Sequence, residues 1–411
     1  MARTATAPAH TAAPSALEAI AALESTRRET LALVAELSDE DLERVHSPIM
    51  SPLVWDLAHI AAYEDLWLAH RQWGMALLRG DLADSYDAFE TPRAVRGEIA
   101  LLRATGARAY MQEVHERTVE AIAERGIGDG VRYELVLRHE LQHSETMRQT
   151  LAIAGLPIAG RQPEIGAPAG GWPVGSTKDG REGADRDDQS WLQVPAGAFA
   201  MGADERRFAY DNERPRHTVE LPAFQIARRP VSCGSWMRFV ERGGYERQEW
   251  WSKAGWQWLK EQDGTYHPAI AASHPEAAVC HISWFEADAF ARAHDARLPS
   301  EEEWEKAASR QPVASLAAAS SPKSGPRTAD PDGLTGVGLV WEWTRSHFGP
   351  YPGFVAFPYR EYSEVFFGDV YRVLRGGSWA THPRVASTTF RNWDLPERRQ
   401  IFAGVRLARD A

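Results

Sequence analysis

Apolar residues recur at spacings of three and four from about residue 15 to 155, and beyond residue 190 that periodicity is gone. A chain of 411 residues that changes its pattern in this way is expected to fold as two domains. In the first part, Ala16–Leu37 is rich in good helix formers. Ser51-Pro52 opens a second helix reaching about Trp73, with Ser51 as its N-cap and proline in the first turn. Further helices are predicted near Leu101–Arg125 and from Gly130 to Ala154, the last stopped by Gly155 and Pro157. Four amphipathic helices of this length predict a bundle.

Residues 1–14 have no apolar core and read as a disordered tail, and residues 156–189, dense in Pro, Gly, Asp and Arg, read as a linker. Residues 190–411 carry short alternating runs (Trp191–Pro195, His217–Leu221, Phe224–Ala227) between brief helical patterns at Cys233–Arg242, Ser283–His294 and Ser300–Ser309. Twelve of the 16 tryptophans lie there, which favours a loop-rich α+β domain with aromatic surfaces over a second bundle. The Ala-, Ser- and Pro-rich stretch 311–331 reads as a mobile surface segment.

A net charge of −11 argues against a nucleic-acid partner. No apolar run approaches the roughly 18 residues needed to cross a bilayer, so no membrane association and a cytoplasmic location are expected. With only Cys233 and Cys280 there is no disulfide framework, and a metal site would draw on nitrogen or oxygen ligands.

His139 and His143 are four residues apart on one face of the fourth helix, separated by roughly 6 Å of rise, a spacing at which two imidazoles can share an ion. His59, on an inward stripe with Trp55, Ala62, Tyr63 and Leu66 of the second helix, is a candidate third ligand. Lone inward histidines are more often satisfied core residues, so spacing leaves a metal centre and a buried core both open. His139-Glu140-Leu141-Gln142-His143 also satisfies H-E-x-x-H, in which Glu140 would be the general base of a zinc hydrolase. Glu145 lies about 200° around the helix from His143, which points to packing rather than ligation. Three imidazoles without a carboxylate would be a variant of the common two-histidine, one-carboxylate iron site.

Ser51-Pro52-Leu53-Val54-Trp55-Asp56-Leu57-Ala58-His59, Tyr86-Asp87-Ala88-Phe89-Glu90 and His139-x-x-Gln142-His143-x-Glu145 resemble the DinB-like domain of the ergothioneine-biosynthesis sulfoxide synthases. The C-terminal half resembles their formylglycine-generating-enzyme-type domain, of C-type-lectin-like fold. The residues that carry this are Asp211-Asn212-Glu213-Arg214-Pro215, Arg297-Leu298-Pro299-Ser300-Glu301, Val340-Trp341-Glu342-Trp343-Thr344, Arg375-Gly376-Gly377-Ser378-Trp379, Phe390-Arg391-Asn392-Trp393-Asp394 and Gly404-Val405-Arg406.

The resemblance implies an iron-dependent oxidoreductase in which Fe(2+) is held by His59, His139 and His143. Gln142, Tyr362, Asn392 and Trp393 would hold hercynine, whose quaternary ammonium suits aromatic faces. Tyr359 would supply a proton or hydrogen atom, and Arg93, Arg96 and Asp394 would hold the sulfur donor γ-glutamylcysteine. Oxygen is the other substrate, and carbon–sulfur bond formation ends in a sulfoxide. Two departures from the family pattern stand out. Gly338-Leu339 replaces the usual Gly-Asn or Gly-Asp, removing a polar group used near calcium, so calcium binding stays open. The region 310–340 is remodelled, which leaves open a selenosugar donor, as in the related selenoneine synthases, beside the γ-glutamylcysteine that the three donor residues favour.

Overall fold

The computed structural model describes residues 14–99, 101–159, 190–205, 208–262, 265–309 and 333–411. The tail before residue 14, most of the linker and the 311–331 segment therefore lie outside the described residues. The described residues form two compact units dividing near residue 160, with Glu205 and Phe208 grouping with the first.

The first unit is helical. Helix α1 (Ala16–Leu33) starts at a capping box in which the Ser15 side chain accepts from the Glu18 N–H and Glu18 accepts from the Ser15 N–H. It stops four residues short of the predicted end, and a short α2 (Asp39–Glu43), capped by Ser38, follows. Helix α3 (Leu53–Glu64) continues through a π-helical turn, Asp65–His70. Helices α4 (Ala104–Arg125) and α5 (Val131–Ala154) complete the unit, the latter ended by Gly155 in the left-handed conformation.

Helix α3 is the centre of the bundle: every residue from Leu53 to Ala61 is buried. Its apolar side chains pack with those of α4 and with Met147 and Leu151 of α5 in one core. The core also contains a buried charge cluster. Arg27 donates to both carboxylate oxygens of Glu140 (2.9 and 3.1 Å), to Glu64 (2.6 Å) and to the Met111 carbonyl (2.9 Å), tying α1 to α3, α4 and α5. One expectation fails here: Ser51 does not cap α3, whose N-cap is Pro52. Its hydroxyl instead accepts from Nη1 of the buried Arg96 (2.8 Å), a donor that would otherwise lose its water.

The second unit mixes short strands and helices. Strands β1 (Trp191–Val194), β4 (Phe224–Ala227) and β9 (Ala408–Asp410) form an antiparallel sheet in the order β1-β4-β9, and β2 (Gly197–Met201) pairs with β3 (His217–Leu221). The central sheet runs β7-β6-β5-β8, from Asn392–Asp394, Arg372–Arg375, Trp341–His347 and Ala403–Gly404. Helices α6 (Cys233–Glu241), α7 (Lys253–Glu261), α8 (Pro268–Ala272), α9 (Trp284–Ala293) and α10 (Glu301–Ala308) surround the strands. Ser283 and Ser300 cap α9 and α10 through capping boxes with Glu286 and Glu303.

Several motif residues turn out to be buried ion pairs that organise this sheet. Arg406 donates to both oxygens of Glu342 (2.7 and 2.6 Å), and Arg391 to both oxygens of Glu301 (2.8 Å each). Gly404 is required by close approach: a Cβ there would stand 2.3 Å from the Val279 carbonyl oxygen.

Candidate metal centre and aromatic cluster

Within the helical unit, α3 presents His59 and α5 presents His139 and His143, and one nitrogen from each lies within 4.8 Å of the others. Nε2 of His59 and Nε2 of His139 are 3.1 Å apart. The outer nitrogens are held from behind. Nδ1–H of His59 donates to the Tyr86 carbonyl (2.6 Å), which turns the Nε2 lone pair toward the other two rings. Nδ1 of His143 lies 3.1 Å from Oδ1 of Asp56, a buried carboxylate on α3.

Stacking fixes the ring planes. Trp55, one turn before His59, stacks on its imidazole at 4.5 Å and 17°. Tyr63, one turn after, stacks on His139 at 3.6 Å and 8°. Burial, followed by repulsion from His143, holds the His59 and His139 pKa values well below the usual histidine range, so both rings are neutral and their lone pairs are available to a cation. Converging imidazoles, each oriented by a partner behind or beside it, are a donor set that fits a divalent transition metal.

Other residues of the H-E-x-x-H stretch do not join this centre. Glu140 is bound in the buried pair with Arg27, so it has no part as the base of a zinc hydrolase. Glu145 is also buried, and no carboxylate groups with the three histidines among the described residues. Gln142 is half-buried on α5.

The two arginines expected to hold a donor differ sharply. Arg93 is exposed, in a 3₁₀ turn (Arg93–Val95). Arg96 is buried, and its Nε, Nη1 and Nη2 donate to the Thr91 carbonyl, the Ser51 hydroxyl and the Ala88 carbonyl. Its guanidinium also stands 3.5 Å from the Trp55 ring centroid.

In the second unit, Tyr359, Tyr362 and Trp393 come together, and Asn392 precedes Trp393 on the same strand. Tyr362 meets Tyr359 edge-on (6.2 Å, 86°) and Trp393 likewise (6.1 Å, 85°). Trp393 stacks on Phe348 (4.1 Å, 8°), and Tyr362 stacks on Tyr210 (4.5 Å, 9°). Asn392 and Trp393 are on β7, opposite Leu374 and Val373 of β6. Asp394, the last residue of β7, accepts from the Leu395 N–H (2.8 Å) and from Nε2 of Gln400 (3.0 Å).

Sequence reasoning did not find Asp56, Tyr210 or Asp211. For Asp56 a signal exists, an aspartate one turn before His59 in an otherwise apolar stretch. Asp211 opens a motif of the family resemblance, but its part at the tyrosine segment, like that of Tyr210, was not legible because their partners lie some 150 residues away.

A helical bundle with a three-histidine centre, joined to a loop-rich α+β unit, defines a two-domain metal-dependent enzyme. Residues 22–147 match the DinB superfamily model, and residues 179–319 and 311–411 match the sulfatase-modifying factor enzyme 1-like domain. The chain is 39% identical to the hercynine oxygenase of Mycolicibacterium smegmatis, over 93% of this chain and 96% of that one. It is 39% identical to that of Mycobacterium tuberculosis (94% and 97%) and 38% identical to that of Mycolicibacterium thermoresistibile (97% and 96%). The chain belongs to the hercynine oxygenase family and is an oxygen-dependent oxidoreductase. Among the described residues, no helix is long and apolar enough to cross a membrane.

Proposed function

We propose that this enzyme joins a chalcogen atom to the imidazole carbon between the two nitrogens of hercynine, using Fe(2+) held by His59, His139 and His143, with γ-glutamylcysteine as donor and a sulfoxide conjugate as product. What carries the reading is the convergence of three oriented imidazoles with no carboxylate among them, in a chain similar from end to end to proteins named hercynine oxygenase. Bound there, ferrous iron would supply oxygen activation and a point of attachment for the donor's thiolate.

The protein's own groups bind and orient. Tyr362 and Trp393 offer π faces to the trimethylammonium group, for which no hydrogen bond is available. Gln142 and Asn392 supply amide groups for the polar atoms of hercynine. The Tyr359 hydroxyl would supply a proton or hydrogen atom during oxygen activation. Arg93 and Arg96 would meet the donor's carboxylates, and Asp394 its ammonium. The same reading places the enzyme in the cytoplasm.

A second reading has a specific observation in its favour. Three of the Arg96 nitrogens donate within the protein, and both Asp394 oxygens accept within it. Two of the three groups meant for a charged dipeptide are thus engaged by the fold, which suits a donor with no carboxylate or ammonium. A selenosugar, forming a carbon–selenium bond to hercynine, is such a donor.

Purified protein loaded anaerobically with Fe(2+), hercynine and each donor in turn, then exposed to oxygen, tests both readings by mass spectrometry. A product mass of hercynine plus γ-glutamylcysteine plus one oxygen and less two hydrogens supports the first, and a selenium isotope pattern the second. Hercynine left unconsumed with either donor would overturn both.

A further inference from the structure

Three consecutive residues of the second unit, Tyr210, Asp211 and Asn212, grip both ends of the segment that carries Tyr359 and Tyr362. Oδ2 of Asp211 accepts from the Phe357 N–H (3.3 Å), at the start of the segment. Oδ1 of Asp211 accepts from the Ser363 hydroxyl (2.5 Å), at its end. Nδ2 of Asn212 donates to the same Ser363 oxygen (2.9 Å), and the Tyr210 ring lies flat on Tyr362. Asp211, Asn212 and Ser363 are 3%, 1% and 0% exposed, so water does not compete for these bonds.

The grip is itself anchored. Nη1 of Arg391 donates to the Asn212 carbonyl (2.8 Å), while the same guanidinium is held by both oxygens of Glu301 on α10. Arg391 immediately precedes β7, which carries Asn392 and Trp393. One connected set of buried hydrogen bonds therefore links the tyrosine segment to the strand beside it. Tyr359 and Tyr362 themselves are half-buried, on a stretch where Val355, Phe357 and Val365 are exposed.

We infer that Asp211, with Asn212 and Tyr210, is a positioning element that sets where Tyr359 and Tyr362 stand relative to Asn392 and Trp393. The inference rests on the reading of Tyr359 as proton donor and Tyr362 as a hercynine contact. Displacing either ring from the clamp would cost rate through misalignment, and would weaken hercynine binding through loss of the aromatic face.

The test uses the full-length protein with Asp211→Ala, Asp211→Asn and Ser363→Ala. Amide hydrogen exchange over residues 357–363, with no substrate present, should quicken by about tenfold or more in both alanine variants while β5 and β6 stay protected. In the Fe(2+)-loaded enzyme, kcat should fall by at least about tenfold and the hercynine KM should rise, with Asp211→Asn recovering part of each. Ser363→Ala removes a single hydroxyl and stays readable if Asp211→Ala does not fold. Unchanged exchange in the folded alanine variants overturns the clamp. Faster exchange with unchanged kcat and KM overturns positioning. Wild-type protein inert toward hercynine overturns the reading of the two tyrosines, and with it their positioning, and is told apart because the exchange difference then persists.

Discussion

Asp56 places Oδ1 3.1 Å from Nδ1 of His143, while its Oδ2 is buried and has no hydrogen-bond partner among the described residues. A carboxylate in that position holds the ring and raises its basicity as a ligand. Asp56→Asn keeps one oxygen for the Nδ1–H and removes the charge. Metal affinity should fall by about 10- to 100-fold, measured by competition with a chromogenic chelator, with little change in helicity. Undiminished affinity would mean that Asp56 does not support the centre.

Arg93 and Arg96 should separate in their effects. Arg96→Met removes three hydrogen bonds from a buried site and the cation over Trp55, leaving Ser51 and two carbonyls short of a donor. It should lower unfolding free energy by about 2–4 kcal/mol and, by loosening the Trp55–His59 stack, reduce metal occupancy. Arg93→Ala should leave stability within about 0.5 kcal/mol of wild type and raise KM for a carboxylate-bearing donor alone. Chemical denaturation and donor kinetics on both variants check this, and equal stability losses would contradict it.

Asp211 should leave a signature in the pH dependence of stability. Burial pushes its carboxyl up to about 6, against the hydrogen bonds from Ser363, Phe357 and Asn212 that draw it down. The folded state thus holds a proton that the unfolded chain releases near pH 4. The associated stability is fully present below pH 4 and is lost as pH rises through 6. Asp211→Asn cannot ionise, so from pH 4 to 7 its unfolding free energy should gain on that of wild type by about 3 kcal/mol. Urea titrations at several pH values measure the difference, and a difference flat across that range would refute the assignment.

Much of the fold is legible in the sequence. The 3.6-residue periodicity and Gly155 ahead of Pro157 are local signals, and they marked the helices because helix formation and termination depend on neighbours a turn apart. The His139–His143 pair was visible for the same reason. Strands β3 and β4 were recognisable from alternation, whereas α7, with two tryptophans in nine residues, was not picked out.

Long-range relationships were invisible to such reasoning. Ser51 has the right local context for an N-cap, yet Arg96, 45 positions away, takes its hydroxyl because a buried guanidinium must be satisfied. Glu140 reads as a catalytic base within five residues, but Arg27, 113 positions earlier, removes it from that role. By itself, the sequence determined the helical and α+β halves and supplied histidines at a spacing two imidazoles can share. Only tertiary packing decided that His59 joins them, that Asp56 stands behind His143, and that Asp211 grips the tyrosine segment. Each of those depends on which buried donors and acceptors meet once the chain has closed, and that pairing is not encoded within any one turn or strand.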